Sequence, residues 1–465
     1  MRTAWLVTAA LALAAASLAL PSAPGYDPWS WLIWARELVG LDLSTEGGPA
    51  WKPLPVLLAA PLTALAGEAA PEAWLVVARA GAILAVLLAV RVARRLGRGS
   101  PAAGVAAAGG VVLVPGWVEH AAVGNAEGLL TALLLLALEA LLAGRRRAAF
   151  AMLAAAALVR VEVWPYLAVL GAMLVRGDRR ARVPAALAAI GVAALWFVPE
   201  LLASGELLRS AERARVPNPG APALDRAPAL ATVVLAARLP PPVALAAAAT
   251  AVVLAGPSAQ ARAHLRGPLV TVGASLAWIG LVAAMSELGF SGESRYLLPA
   301  AALLTVGGIA ALFLLPELFA GRRFGCGRPA ARAGLAAVVA GALGLTALGR
   351  APALGDELAR VRYGAALAKD LQRAVRGVGG PHRLVRCGRP YVGPYRGPLL
   401  AWTLGVHKRE VEFDPLRPGV AFRSRLRPGG RVAPGRPPGE PPPQLTRTRL
   451  WEIAAACSSG ALRSR

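Results

Sequence analysis

The chain has 465 residues, 56% of them hydrophobic, and 50 Lys and Arg against 26 Asp and Glu give a formal charge of +24. Apolar stretches of roughly 17 to 25 residues, enough to cross a ~30 Å hydrocarbon layer, recur through the first three quarters, which excludes an ordinary soluble enzyme. A transmembrane β-barrel is excluded too, because segments such as Val76 to Val90 are apolar on every face instead of alternating.

Lysine occurs only at Lys52, Lys369 and Lys408, so the charge is almost all arginine and reports orientation before it reports a partner. No nucleic-acid partner is expected. The segment Ala4 to Leu20 follows Arg2 and ends at Pro21-Ser22-Ala23-Pro24-Gly25. It fits a cleaved signal peptide or a first spanning helix, and its Ala-rich length together with the polar loop after it favours the helix. That loop, residues 21–72, holds Trp29, Trp31, Trp34 and Trp51, with Trp74 just past its end, and reads as interfacial; Pro53 to Leu65, with three prolines, is short for a span and reads as interfacial or re-entrant. Further spans are predicted near 73–93, 101–117, 125–143, 148–159, 163–175, 183–203, 241–256, 268–286, 296–315 and 333–349, which makes about eleven transmembrane helices. The arginine clusters 91–98, 145–147, 176–182, 262–266 and 322–332 then share one side with Arg2, as the positive-inside rule requires. The expected location is the cell membrane, multi-pass, with a cytoplasmic N-terminus.

Residues 351–465 carry 21 Lys and Arg against 8 Asp and Glu and no segment able to span. An amphipathic helix (356–376), a strand (383–387), a helix (391–404) and a strand (410–413) predict a small extracytoplasmic α/β domain over 351–414. The Arg/Pro/Gly-rich segment 415–465 is expected to be largely disordered. Cys387 and Cys457 would lie in an oxidising compartment where they could form a disulfide, two free thiols being the alternative, while Cys326 stays in a cytoplasmic loop.

Ionisable residues at membrane depth are costly and therefore candidates for function. Four clusters map to the outer face: Tyr26-Asp27-Pro28-Trp29 with Trp51-Lys52-Pro53; Trp117-Val118-Glu119-His120 leading to Asn125-Ala126-Glu127; Arg160-Val161-Glu162-Val163-Trp164-Pro165; and Ser291 to Tyr296. A partly desolvated carboxylate can take a proton from an attacking hydroxyl while guanidinium groups hold a phosphate, which suits a substrate that is half lipid and half sugar phosphate. Plainer roles exist for each. Asp27 before Pro28 could cap a helix, Glu119 and Glu127 could sit among headgroups, Arg160 and Glu162 could be a structural ion pair, and His120 is too isolated to be a metal ligand. Phosphate-loop, dinucleotide, nucleophile-elbow and zinc-protease motifs are all absent from the sequence. The rival to an enzyme is a non-catalytic transporter or envelope-assembly scaffold, whose basic tail binds anionic lipid or polymer.

Taken in order, Tyr26-Asp27-Pro28-Trp29, Lys52-Pro53-Leu54-Pro55, Ala78-Arg79, Asn125-Ala126-Glu127, the Arg160 to Pro165 turn and Arg295-Tyr296-Leu297-Leu298-Pro299 resemble the GT-C-type polytopic glycosyltransferases that use polyprenyl-phosphate sugars. The resemblance covers roughly residues 1–315 and is to the dolichyl-phosphate-mannose mannosyltransferase-like branch and its actinobacterial members. It implies a GT-C-like fold and inverting transfer of a hexosyl or pentosyl group from a lipid-phosphate donor to a cell-envelope glycan or protein. It further implies that Asp27 is the catalytic residue; Lys52, Arg160, Arg295 and Tyr296 would bind donor phosphate or sugar, and Trp51, Glu119, His120, Asn125, Glu127 and Glu162 would serve the acceptor or support those cations. Some members use a divalent metal (Mg or Mn) and others none. The chain departs from several relatives in having one acidic residue in the first loop instead of an adjacent pair, and Arg160 where lysine-proline is common.

Overall fold

The computed structural model describes residues 3–319, 328–414, 419–435 and 442–455. The first part is helical: α1 (Thr3–Ala16), α2 (Tyr26–Val39), α3 (Pro53–Ala66), α4 (Ala70–Leu96), α5 (Pro101–Val112), α6 (Trp117–Ala122), α7 (Glu127–Leu142), α8 (Arg146–Ala157), α9 (Trp164–Gly177), α10 (Arg182–Ser204), α11 (Arg209–Ala214), α12 (Pro228–Ala237), α13 (Pro242–Ala255), α14 (Ala259–His264), α15 (Arg266–Glu287), α16 (Ser294–Leu312) and α17 (Leu315–Phe319). At its centre stands α16, in which every residue from Leu297 to Ala311 is buried against α4, α5, α7, α13 and α15. Helices pack in an apolar solvent by close backbone approach more than by hydrophobicity, and small residues permit it. A Cβ on Gly308 would lie 2.3 Å from the Ala244 carbonyl oxygen of α13, and one on Gly128 would lie 2.5 Å from Ala82 Cβ between α7 and α4.

Among the described residues, five helices are long and apolar enough to cross a membrane, and six if α12 and α13, bent by 107° at their junction, form one span. The expected eleven spans include shorter apolar helices, such as Thr3–Ala19 and Pro101–Val112, that fall below that length. The segments predicted at 125–143, 148–159 and 163–175 form α7, α8 and α9, of 16, 12 and 14 residues, separated by the 143–145 turn and the charged turn at Arg160 to Glu162. The prolines at 53, 55 and 61 do not keep α3 apart, because it continues through a short 3-10 turn at Gly67–Ala69 into α4.

The predicted domain boundary at residue 350 falls within a continuous helix. One helix, α18 (Arg328–Gly377), runs 50 residues from the bundle into the C-terminal domain. There it is followed by α19 (Pro381–Cys387), where a strand was expected, then β1 (Arg389–Val392) and α20 (Gly397–Leu404). The segment expected to be disordered contributes four strands, β2 (Gly419–Arg425), β3 (Val432–Ala433), β4 (Gln444–Arg447) and β5 (Trp451–Ala455). The sheet order is β1-β2-β5-β4 with β3 beside β2, and only β1 and β2 run parallel. Phe422 opposite Ile453 buries one face, and Trp451 donates its indole N–H to the Leu367 carbonyl of α18 at 2.9 Å. Burial of these few apolar residues against α18 overrides the Pro/Gly/Arg composition. Cys387 is buried and disulfide-bonded; Cys457 and Cys326 lie outside the described residues.

Candidate functional site

The four clusters proposed from sequence meet at one end of the bundle. Gly25 N–H donates to the Val123 carbonyl at 2.8 Å, which fixes the start of α2 against the turn before α7. Gly25, not Asp27, occupies the cap position, so Asp27 is not a helix cap. Its carboxylate points inward instead. Oδ2 accepts from Lys52 Nζ at 3.3 Å and from Arg295 Nη1 at 2.9 Å, with the Asp27 side chain 7% exposed. Lys52 sits just before α3, extended, with its ammonium 5.0 Å from the centre of the Trp31 ring. Arg295, in the first turn of α16, also donates to Glu293 Oε2 at 3.1 Å and to the Tyr296 hydroxyl at 3.2 Å. Burial alone would raise the Asp27 pKa, but Arg295 and Lys52 hold it well below the carboxylate range, at about 2.

A second ionic group adjoins the first through Tyr296. Arg160 stacks over that ring at 4.0 Å and donates to Glu162 at 2.7 Å, and its Nη1 lies 3.7 Å from Glu127 Oε1. Arg160, Glu162 and Glu127 are all nearly fully buried. Glu127 Oε2 and Arg160 Nη1 have no hydrogen-bond partner among the described residues, so the cluster keeps a polar donor and acceptor in reserve. A cavity of about 310 Å³ opens beside Arg295, walled by His120, Gly220, Leu235 and Glu293. His120 Nδ1 is 2.7 Å from Asn125 Nδ2, while Glu119 turns away to pair with Arg360 of α18 at 2.6 Å. Glu119 therefore does not join the cluster. Trp51 acts through its backbone and ring, its N–H donating to Ser210 Oγ at 2.6 Å and its indole to the Leu195 carbonyl at 3.0 Å.

Sequence reasoning missed two supports. Glu200 of α10 and Arg209 of α11 form a buried pair with two bonds of 2.9 Å, and Arg209 also donates to the Pro49 carbonyl at 3.1 Å. This pair grips the segment leading to Lys52. The sequence did hold a signal, since Glu200 lies within the predicted span 183–203. The second support is His407 of the C-terminal domain, lodged between Glu37 Oε1 at 2.9 Å and Asp42 Oδ2 at 3.0 Å, with Trp402 6.0 Å from Trp29. No local pattern announces a contact across more than 360 residues. It docks the C-terminal domain on the helix that carries Asp27.

Among the described residues no group of three His, Cys, Asp or Glu side chains could hold a metal ion. Asp27 is paired with two cations, Lys52 and Arg295.

A helical bundle with a folded first loop, an ionic cluster at one end and an α/β domain over it is the architecture of a polytopic membrane protein, and two solved structures share the fold. The chain is similar to the crystal structure of ArnT from Cupriavidus metallidurans bound to undecaprenyl phosphate, with 14% identity, 99% of each chain covered and a TM-score of 0.57. It is also similar to apo ArnT from the same organism, at 16% identity and a TM-score of 0.53 over 97% of this chain and 98% of that one. No family model matches the chain, and neither does any curated protein.

Proposed function

We propose that the protein is a membrane glycosyltransferase that moves one sugar from a polyprenyl-phosphate donor to a cell-envelope acceptor, a glycan or a protein, on the extracytoplasmic face. The observation that carries this reading is the buried carboxylate of Asp27 shared between Lys52 and Arg295 beside a cavity. The ArnT structure bound to undecaprenyl phosphate, which has the same fold, supports a lipid phosphate as the group those cations receive.

The acceptor hydroxyl attacks the anomeric carbon from the side opposite the phosphate, so the transfer inverts. Its proton passes to Asp27, and the bond between the anomeric carbon and the phosphate oxygen breaks with its electron pair on the phosphate. Lys52 and Arg295 neutralise the charge that develops there, a task for which preorganised cations in a water-poor site are well suited. Charge neutralisation is thus assigned to side chains instead of Mg or Mn. Tyr296 and Arg160 line the sugar, and Glu162 and Glu127 hold Arg160. His120, at the cavity, and Asn125, which holds His120, position the acceptor. The arginine-rich end of the bundle is cytoplasmic, with the C-terminal domain on the opposite side beside the site.

The test is transfer of radiolabelled hexoses and pentoses from a panel of polyprenyl-phosphate donors to envelope extract by the purified protein in lipid, beside Asp27→Asn. Transfer by the wild type and its loss in a variant that is still folded at the assay temperature are expected. Equal transfer in both would remove Asp27 from the mechanism.

A further inference from the structure

In the free protein Asp27 and the cations beside it satisfy one another. Both Lys52 and Arg295 reach the same atom, Asp27 Oδ2, and among the described residues Lys52 has no other carboxylate partner. Arg160 too is already paired with carboxylates, those of Glu162 and Glu127, with Nη1 the one of its donors left without a hydrogen bond among the described residues. A phosphate entering this site must therefore take cations that a carboxylate already holds.

We infer that Asp27 competes with the donor phosphate for Lys52 and Arg295, so that seating the donor is what frees the carboxylate to act as a base. The inference rests on the function proposed above and concerns the regulation of that same site. Clasped by two cations, a carboxylate has little affinity for a proton, consistent with the low value for Asp27 in the free protein. A phosphate oxygen between Lys52 and Arg295 cancels their field at Asp27 and adds a negative charge of its own nearby, and both changes raise the proton affinity of the carboxylate. The base is thus off while the site lacks a donor and on once the leaving group is in place. Binding is ordered as a result, with the donor first and the acceptor hydroxyl deprotonated only afterwards. Trp31 keeps Lys52 within reach of either anion by holding its ammonium over the ring.

The consequence is unusual for a catalytic residue, because removing it should tighten donor binding. The probe is undecaprenyl phosphate, titrated against wild type, Asp27→Asn, Asp27→Ser and Lys52→Met in nanodiscs, with affinity read by native mass spectrometry and melting temperature followed in parallel. Loss of one charge-assisted competitor corresponds to a gain of about tenfold or more. Asp27→Asn and Asp27→Ser should therefore bind the lipid at least about tenfold tighter than wild type, and the lipid should raise their melting temperature by more than it raises that of wild type. Lys52→Met should bind it more weakly. Equal or weaker binding by both Asp27 variants, with wild type and Lys52→Met behaving as stated, would overturn the competition and leave the donor site standing. Absence of lipid binding by wild type would overturn the donor site and the competition with it.

Discussion

The two ends of the bundle use the same residue types in opposite ways. At one end Arg98 and Arg332 meet Glu317, and Arg147 meets Asp178, with the Arg147 side chain 70% exposed. At the other end Arg160 meets Glu162 and Glu127 with its side chain 7% exposed, and Asp27, Lys52, Glu200 and Arg209 are equally enclosed. Exposed pairs are screened and contribute about 0–1 kcal/mol, whereas a buried charge stripped of its partner costs about 3–5 kcal/mol. At the exposed end the arginines are many and loosely paired. At the buried end each charge has an individual partner, and that is where chemistry can be built.

If this contrast holds, substitutions at the two ends will differ in kind. The largest effect is expected from Asp27→Asn, with transfer falling by about 10²–10⁴-fold, the usual contribution of a general base, in the radiolabel assay. Arg160→Gln leaves Glu162 buried without its cation and should destabilise the bundle by about 3–5 kcal/mol, read as a lower melting temperature. Glu200→Gln should cost about 1–3 kcal/mol by leaving Arg209 half satisfied, and should also raise the KM for donor, because the Arg209 grip on Pro49 steadies the approach to Lys52. Arg147→Ala, at the exposed end, should change stability by less than about 1 kcal/mol and leave transfer unchanged.

The C-terminal domain sharpens the comparison with a buried lysine that has no ion-pair partner among the described residues. Lys408 is 2% exposed, over the Phe413 ring at 4.7 Å, and burial pushes its pKa down to about 8. The unfolded chain then holds the proton more tightly than the folded one between pH 8 and about 10, so this group makes the domain more stable as pH rises through that window. Lys408→Met should abolish that slope and raise the melting temperature at pH 7 by a few degrees, on the order of 1 kcal/mol. Asp27 behaves differently, since its lowered value means that its pairing stabilises fully above about pH 4 and is lost only as pH falls toward 2. A melting series across pH 2–10 on wild type, Lys408→Met and Asp27→Asn measures both.

Much of the site was legible because polar residues cannot enter an apolar run without cause. Asp27, Lys52, Glu127, Arg160, Glu162 and Arg295 each interrupt or flank such a run, and the positive-inside pattern alone put all six on one face. Glu119 was equally conspicuous, yet on its own short helix it pairs with Arg360. The difference between Glu119 and Glu127 is one of direction, which composition does not encode. The apolar content of 148–159 and 163–175 marked two short helices, α8 and α9, and the charged turn between them marked their break.

What the linear chain determined by itself is its class: apolar runs that must satisfy their own backbone in lipid form helices, and arginines sort to one side whatever the fold. What only the tertiary structure decided is pairing. That Lys52 and Arg295 meet on one oxygen of Asp27, that Glu200 reaches Arg209, and that His407 closes on Glu37 all depend on contacts between distant segments. The strands of 419–455 depended on them too, since a Pro/Gly/Arg-rich segment becomes a sheet only where Phe422, Trp451 and Ile453 find α18 to bury against. Local patterns report what a residue can do in water or lipid; burial and partner choice arise only when the chain closes on itself.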